Sequence, residues 1–351
     1  MSAITIRLGT RRSALATTQS GWVADRLREL GHAVEMVEIT TFGDTSTASL
    51  SSIGGTGVFV TALRTALLSG EIDVAVHSLK DLPVAPEPGL RIAAIPVRED
   101  ARDALVARDG LTLGELPAGS VVGTGSPRRA AQLAALGLGL HVMDIRGNVD
   151  TRISLVHNGS CDAVLLARAG LARLGRLDEV TESLDPLQML PAPGQGALAV
   201  ECREDRHDLV DALAPLDHAD TRAAVTAERA LLAALEAGCT APIGALAEVA
   251  QGEHGTELFL RAFAGSEDAR IELRRSSAGP LDQPERLGRD LAAVLLADGA
   301  AEIPGLRSQL LTGGDRPTDH PGVRGPEGSL ASETSQPDAS RPDRSATERA
   351  L

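Results

Sequence analysis

Strand-like apolar runs alternate with helix-like periods through the first half of the chain, and this alternation constrains the fold more than any other feature. Residues 4–8 and 34–39 are typical of strands, and a helical apolar period runs between them from the N-cap candidate Ser13 to Gly31. Short strands that alternate with helices run parallel, with helices on both faces of the sheet. The other elements predicted in this unit are a helix over 60–68 and strands over 72–76 and 91–97.

A second unit of the same kind follows. Residues 121–123 predict a short strand, and Ser126 with Pro127 predicts the start of a helix. The remaining elements of this unit are strands over 140–145 and 163–166, a helix over 149–157 and a helix from Leu171 onward. After a loop rich in turn formers, residues 197–201 predict a strand that returns to the first sheet.

A third unit begins near His218. Asp220 is the predicted N-cap of a helix over 221–237 that ends at Gly238. The unit continues with a strand hairpin over 258–264 and 269–275 and a helix over 284–296. From Ser308 the chain has hardly any apolar residues and cannot bury enough surface to offset its ordering entropy, which predicts a disordered tail.

Length and charge exclude several classes of protein. The 351 residues suit two or three domains, whose cores have to be aliphatic because the chain has no Tyr, one Trp and four Phe. A net charge of -14 argues against non-specific nucleic-acid binding. No apolar run approaches the roughly 20 residues of a membrane span, and the N-terminus does not have the pattern of a signal peptide.

The three cysteines, Cys161, Cys202 and Cys239, lie far apart and form no zinc-binding spacing, so no metal site is expected. An odd number of cysteines without an export signal indicates free thiols, and we expect a cytoplasmic protein. Cys239 follows a predicted helix end, where the dipole disfavours a thiolate. The chemistry of this position by itself therefore favours a buried structural cysteine over a nucleophile.

A polar cluster follows the buried strand at 72–76, at the edge where open α/β sheets bind ligands. It contains Lys80, the only lysine of a chain whose other side-chain cations are arginines or histidines. Next to it, Asp81 forms either a simple ion pair at the strand end or a carboxyl group that exchanges protons at a reacting centre. We favour the second interpretation, in which Lys80 and Asp81 share an active site.

Arginines occupy several of the predicted strand-to-helix turns. Arg128 and Arg129 lie in the first turn of a helix, where they oppose its dipole, and a bound anion would relieve the mismatch; a solvated pair is the alternative. Further candidates for the same cleft are Arg11, Ser13, Arg146, Arg152 and Arg173. Arginine forks suit carboxylates, so the pattern predicts a ligand with several carboxylates; phosphates are an alternative, although the chain has no P-loop or GxGxxG motif. A glycine-rich stretch over 54–59 predicts either a lid or an ordinary mobile loop.

Taken together, the motifs VHSLKDLP, GTGSPRR, IRGNVDTR, LPAPGQGALAVECR and EAGCTAPIG resemble porphobilinogen deaminase, the hydroxymethylbilane synthase family, in order from about residue 4 to residue 306. The resemblance implies a transferase of tetrapyrrole (haem) biosynthesis. Such an enzyme condenses four porphobilinogen molecules with loss of ammonia and then releases hydroxymethylbilane by hydrolysis.

The resemblance also implies an α/β fold of three domains. The first two would be like periplasmic binding proteins, with mostly parallel sheets, and the third would be a smaller α+β domain. The boundaries would be 1–97 plus 196–215 for the catalytic first domain, 98–195 for the second and 216–307 for the third, followed by the tail 308–351. A monomer is expected.

Site residues follow from the same resemblance. A dipyrromethane cofactor would be attached to Cys239, in place of the structural role favoured above, and Asp81 would assist ammonia loss and stabilise the cationic intermediates. Cofactor-binding residues would be Lys80, Ser126, Arg128, Arg129, Arg146 and Gly147. Substrate-binding residues would be Arg11, Ser13, Phe59, Thr124, Arg152, Arg173 and Gln195. The chain departs from many members at Phe42, Ser52 and Thr56, so the resemblance does not imply charge binding by those lid positions.

A solute-binding protein or the ligand-binding domain of a regulator would share the two-lobed fold. Such a protein would need neither Asp81 nor a modified Cys239. A periplasmic carrier would also require an export signal, and a regulator would require a DNA-binding module. The sequence shows neither, and it therefore favours the enzyme.

Overall fold

A computed structural model describes residues 4–39, 57–237, 241–252, 255–304 and 306, and the statements below concern this part of the chain. Its first sheet has the strand order β2-β1-β3-β10-β4. Strands β1 and β2 pair in parallel, as do β1 and β3, whereas β10 is antiparallel to both of its neighbours. The strands are β1 (Thr5–Thr10), β2 (Ala33–Glu38), β3 (Val74–Ser78), β4 (Leu90–Ala94) and β10 (Leu198–Arg203), with helices α1 (Ala14–Glu29) and α2 (Gly57–Leu68).

The second sheet repeats this pattern in the order β7-β6-β8-β5-β9. Strand β5 is antiparallel to both of its neighbours, and β6 pairs in parallel with β7 and with β8. The strands are β5 (Asp103–Ala107), β6 (Val121–Gly123), β7 (His141–Met143), β8 (Ala163–Ala167) and β9 (Glu182–Ser183), with helices α3 (Pro127–Ala135), α4 (Val149–His157) and α5 (Arg168–Arg173). The antiparallel strand of each sheet is the first one that the chain forms after it crosses over from the other sheet. This strand is β10 in the first sheet and β5 in the second.

The third sheet is a small antiparallel one in the order β11-β12-β13. Helices α7 and α8 pack on each other, and their aliphatic side chains share one core with the sheet. The elements are α6 (His207–Leu213), which packs beside β10, then α7 (Ala219–Ala234), β11 (Ile243–Gly252), β12 (Gly255–Gly265), β13 (Glu272–Pro280) and α8 (Pro284–Ala297). Single turns of 3-10 helix lie at Leu79–Asp81, Arg108–Gly110, Leu113–Glu115, Leu177–Glu179, Ala214–Leu216 and Ala300–Glu302.

The architecture confirms the predicted fold class of two mostly parallel sheets and a smaller α+β unit. The strand predicted at 197–201 does return to the first sheet, as β10 between β3 and β4. Ser13 caps α1 as predicted, since its hydroxyl accepts the amide of Ala16 at 3.4 Å. Strands β5, β9 and β11 and helix α6 were not predicted.

Three predictions about helix ends were wrong. Asp220 is not the N-cap of α7, because His218 holds that position and its Nδ1 accepts the Thr221 amide at 3.2 Å. The helix accordingly begins at Ala219 and ends at Ala234, three residues short of the predicted end. The helix predicted from Leu171 onward begins at Arg168, directly after β8. The domain boundaries stay a prediction, and the tail over 308–351 lies outside the described residues.

Candidate active site

The turn after β3 carries the predicted catalytic pair. Leu79 is fully buried beneath it, whereas Asp81 is exposed and Lys80 is half-buried. Burial lowers the pKa of Lys80 to about 8; the carboxylate of Asp81 opposes this shift, and the charge of Arg129 adds to it. With this pKa, the ammonium of Lys80 is still mostly charged at neutral pH, and an anion bound beside it would favour the charged form.

A buried cluster at the start of α3 holds the arginine pair. Both arginines contact one carboxylate: Arg128 Nη1 donates to Asp103 Oδ2 at 2.8 Å, and Arg129 Nη2 donates to Asp103 Oδ1 at 2.7 Å. Burial alone would raise the pKa of Asp103, but the two guanidiniums outweigh it and hold that pKa well below its usual range. The anion that relieves the predicted clash with the helix dipole is thus supplied, in part, by the protein itself.

This cluster keeps a positive excess, because two guanidinium charges face one carboxylate. The Nε atoms of Arg128 and Arg129 are both buried, and neither has a hydrogen-bond partner among the described residues. A buried donor without a partner is costly, and a carboxylate of a bound molecule would satisfy it. The donor set therefore fits a group that carries acidic side chains.

Gln195 connects the two sites. Its Nε2 donates to Asp103 Oδ1 at 2.8 Å and to the Ala101 carbonyl at 2.7 Å, while its Oε1 accepts from Lys80 Nζ at 3.3 Å. The side chain is fully buried between the two segments that link the sheets. The structure therefore brings Lys80, Gln195, Arg128 and Arg129 together, and their roles as binding residues stay a prediction.

The predicted residues after β6 and β7 lie in two turns that pack closely. A Cβ at Gly125 would come within 2.6 Å of the Ile145 carbonyl oxygen, so only glycine permits this approach. Thr124 is buried and accepts the Ser126 amide at 3.2 Å. Ser126 holds the N-cap position of α3, although within the described part of the chain its hydroxyl makes no capping bond.

The turn before α4 places the next two arginines. Gly147 has a φ of 108°, the left-handed region that favours glycine, and Arg152 Nε donates to its carbonyl at 2.9 Å. Burial and the nearby charges of Arg129 and Arg146 lower the pKa of Arg152, so these cations face a common space. Arg146 itself is exposed and pairs with Asp144 at 3.0 Å.

The remaining predicted residues lie at other turns and helices or outside the described part of the chain. Arg173 Nη2 donates to the Gly196 carbonyl at 2.7 Å, Arg11 is partly buried after β1, and Ser13 caps α1. Phe59 lies in the first turn of α2, and only its backbone is described. Cys239, Phe42, Ser52 and Thr56 lie outside the described residues.

The sequence analysis missed four residues that organise the site: Asp103, Arg98, Glu228 and Arg229. Arg98 donates to the Gln195 carbonyl at 2.8 Å and forms a fork with the buried carboxylate of Glu228 at 2.6 and 3.0 Å. Each of the four acts on a partner far away in the chain, so no local motif marks them. The one available signal was Asp103, a carboxylate directly before the apolar run Ala104–Ala107.

Among the described residues, no group of three His, Cys, Asp or Glu side chains could hold a metal ion. The same part of the chain contains no helix with the length and apolarity that crossing a membrane requires.

Two sequence families match the chain. The family described as "Porphobilinogen deaminase, dipyromethane cofactor binding domain" matches residues 6–211, and "Porphobilinogen deaminase, C-terminal domain" matches residues 222–297. Curated relatives include porphobilinogen deaminase of Mycobacteroides abscessus, 61% identical over 305 residues that cover 86% of this chain and 99% of the relative. Porphobilinogen deaminase 1 of Streptomyces avermitilis is 59% identical over 322 residues, which cover 88% of this chain and 99% of the relative.

Solved structures with a similar fold include a putative methionine-binding lipoprotein from Bacillus subtilis, with 12% identity and a TM-score of 0.37 over 60% of this chain and 89% of that one. The family assignment rests on the sequence matches, which cover both large sheets and most of the third unit. The chain belongs to the porphobilinogen deaminase family and carries its dipyrromethane cofactor binding domain.

Proposed function

We propose that this chain condenses four porphobilinogen molecules stepwise, with loss of ammonia, and releases hydroxymethylbilane. The observation that carries the proposal is the buried pair Arg128 and Arg129, whose Nε donors have no partner among the described residues and which is connected to Lys80, next to Asp81, through Asp103 and Gln195. Its substrate is a small pyrrole with carboxylate side chains. The names of the relatives at about 60% identity support this activity over the solute-binding protein considered above.

The arginine turns of the second sheet would bind the acidic side chains of cofactor and substrate. Arg128 and Arg129 are fixed by Asp103, and Arg152 lies close enough to Arg129 and Arg146 for their charges to lower its pKa. Carboxylates bound there would relieve this mutual repulsion of cations. The proposed binding set also contains Thr124, Ser126, Gly147 and Gln195, together with Arg11 after β1, Ser13 at the start of α1, Arg173 in α5 and Phe59 in α2.

Asp81 would protonate the departing amine and stabilise the positive charge that forms on the substrate. Its carboxyl group is exposed at the end of a rigid strand and turn, so a substrate amine can reach it. Protonation of the departing amine by this carboxyl would assist ammonia loss, and the carboxylate left behind would stabilise positive charge on the substrate. A dipyrromethane group held by these residues would supply the nucleophilic pyrrole carbon to which substrate is joined.

Cys239 is the proposed attachment point. The other two cysteines are poor candidates, because Cys161 and Cys202 are both buried in the sheet cores. Burial raises the pKa of both thiols, that of Cys202 to about 11, so neither offers a reactive thiolate. This supports Cys239 by elimination within the chain.

Intact-mass spectrometry tests the proposal directly. The purified active protein should be heavier than its sequence by two pyrrole units and should colour with Ehrlich's reagent, whereas Cys239→Ser should have the bare mass and no activity. Cys161→Ser is the control, and it should keep both the added mass and the activity. An active wild-type protein with the bare mass would contradict the cofactor attachment.

The proposal extends to organisation and location. We propose a catalytic first domain over 1–97 and 196–215, a second over 98–195 and a third over 216–307, acting as a monomer in the cytoplasm. The two buried free thiols suit a reducing compartment, and the net charge of -14 disfavours nucleic acid as a partner.

A further inference from the structure

Helix α7 of the third unit packs directly against the turn that carries Asp81. Val225 of this helix is fully buried in one apolar cluster with Leu79 and Leu82, the residues on either side of Lys80 and Asp81. Residues four apart lie on the same face of a helix, so Arg229 projects towards the same turn as Val225. The catalytic turn is therefore held from a domain other than its own.

Arg229 binds the backbone of that turn. Its Nη1 donates to the Leu82 carbonyl at 3.0 Å and to the Leu79 carbonyl at 3.4 Å, and its Nη2 donates to the Pro83 carbonyl at 2.7 Å. The Leu79 carbonyl also accepts the Leu82 amide inside the turn at 3.1 Å, whereas the carbonyls of Leu82 and Pro83 lie just past its end, where a cationic side chain can satisfy them. Arg229 thus caps the turn Leu79–Asp81 at its carboxyl end with a planar fork.

The base of this fork is itself fixed. The adjacent Glu228 is fully buried, accepts the Gly194 amide at 2.6 Å and the Ala247 amide at 2.9 Å, and pairs with Arg98. Gly194 in turn packs on the catalytic turn, since a Cβ there would lie 3.2 Å from Leu79 Cγ. The segment Glu228–Arg229 is therefore held in a defined position, and the guanidinium of Arg229 holds the turn in that position.

We infer that Arg229 is a positioning residue for Asp81: it sets the location of the carboxyl group without touching substrate. The inference rests on the proposed function of Asp81. The three acceptors that Arg229 has among the described residues are main-chain carbonyls of residues 79–83, so loss of the fork frees the turn itself. Catalysis depends steeply on such placement, since an error of about 1 Å costs up to about 100-fold in rate.

Helix α7 offers a matched control. Arg222, two turns earlier on the same helix, also donates to backbone carbonyls of the first domain, those of Ile92 and Ala93 at 3.5 and 3.2 Å. It lies at β4, away from the Asp81 turn, and pairs with Asp217. Arg222→Gln and Arg229→Gln therefore remove comparable links between the same helix and the same domain, and only the second concerns the catalytic turn.

The experiment compares wild type, Arg229→Gln, Arg229→Lys and Arg222→Gln as cofactor-loaded protein, with loading checked by intact mass. We expect Arg229→Gln to lower kcat about 10- to 100-fold with KM within about twofold, while Arg222→Gln stays near wild type in both. Arg229→Lys should be intermediate, because a single ammonium cannot span the acceptors of the fork. Full activity in Arg229→Lys would overturn the inference, since charge alone would then suffice.

Hydrogen exchange supplies a readout that does not depend on activity. The Leu82 amide donates to Leu79 O at 3.1 Å, so loosening of the turn should accelerate its exchange by about tenfold in Arg229→Gln and leave it unchanged in Arg222→Gln. Unchanged exchange together with unchanged kcat in Arg229→Gln would overturn the positioning role. If wild type fails to consume porphobilinogen, the proposed function falls, whereas the exchange result still decides whether Arg229 holds the turn.

Discussion

In each of the two large sheets a turn with charged side chains follows the carboxyl end of a parallel strand, but the two turns differ in whether those side chains are exposed or buried. The turn after β3 exposes one carboxyl group, that of Asp81, whereas the turn after β6 buries Arg128 and Arg129 on the carboxylate of Asp103. Among the described residues, Gln195 spans the two through side-chain hydrogen bonds to Lys80 and Asp103. Under the proposed function, the group that exchanges protons is the accessible one, and the groups that bind charge are buried, where electrostatic interactions are stronger.

The largest expected effect separates chemistry from binding. Asp81→Asn keeps the size of the side chain and removes its proton chemistry, so kcat should fall about 10²- to 10⁴-fold while substrate binding changes little. Steady-state porphobilinogen consumption and equilibrium binding measure the two quantities. Asp25→Asn, in an exposed pair with Arg28 on α1, should leave both unchanged. Near-normal turnover of Asp81→Asn would remove the proposed distinction between the turns.

The second prediction concerns the buried turn after β6, where Arg128 and Arg129 contact Asp103. Asp103→Asn leaves two buried guanidiniums without their anion and should reduce the free energy of unfolding by about 3–5 kcal/mol in urea titrations. Asp208→Asn, whose pair with Arg206 is exposed, should cost less than about 1 kcal/mol. A cost as small as that of the control would show that the cluster does not depend on its charge.

The pH dependence of this loss follows from the lowered pKa of Asp103. The folded chain holds the carboxyl ionised more strongly than the unfolded chain does, so its stabilisation is complete above the unfolded pKa of about 4 and is lost as the pH falls further. The difference in stability between wild type and Asp103→Asn should therefore shrink below about pH 4.

Lys80 is the one cation of the turn Leu79–Asp81. Because its pKa is lowered, the contribution of its charge can be tested by varying the pH. Above the pKa of about 8 the ammonium is lost. The cofactor-free chain should then bind its dipyrromethane cofactor more weakly, by up to about tenfold per pH unit, and this binding is called loading below. Lys80→Arg keeps its charge at these pH values, and the ratio of its loading to that of wild type should rise with pH. Intact mass at fixed times measures the loading, and a constant ratio would contradict the role of the ammonium.

The smallest expected effect tests the geometry of the arginine turns. Gly147 and Gly159 both have positive φ, at 108° and 75°, so alanine is strained at either position. A Cβ at Gly147 would also lie 2.8 Å from Thr151 Cγ2, whereas none of the described atoms lies within 4 Å of one at Gly159. Gly147→Ala should therefore cost about 1 kcal/mol more than Gly159→Ala in unfolding experiments. Equal costs would mean that this turn has room to relax.

The sequence predicted the alternating elements well, because period and capping are local properties. Ser13 at the start of α1 and the helix over 149–157 need only neighbouring residues to be recognised, and both are confirmed. Strand β5 was missed because its residues lie between two polar turns and acquire their role only between β8 and β9. The N-cap of α7 was assigned to Asp220 because aspartate is the better cap by propensity, whereas the structure uses His218.

The sequence by itself determined the family, the fold class and the cofactor, since these follow from motifs that are contiguous in the chain. Which groups hold the site together was decided only by the tertiary structure. The carboxylate of Asp103 meets Arg128 and Arg129 across 25 and 26 positions, and Arg229 meets the carbonyl of Pro83 across 146. Partners so far apart leave no local pattern, because burial and pairing arise only when the sheets and α7 close around them.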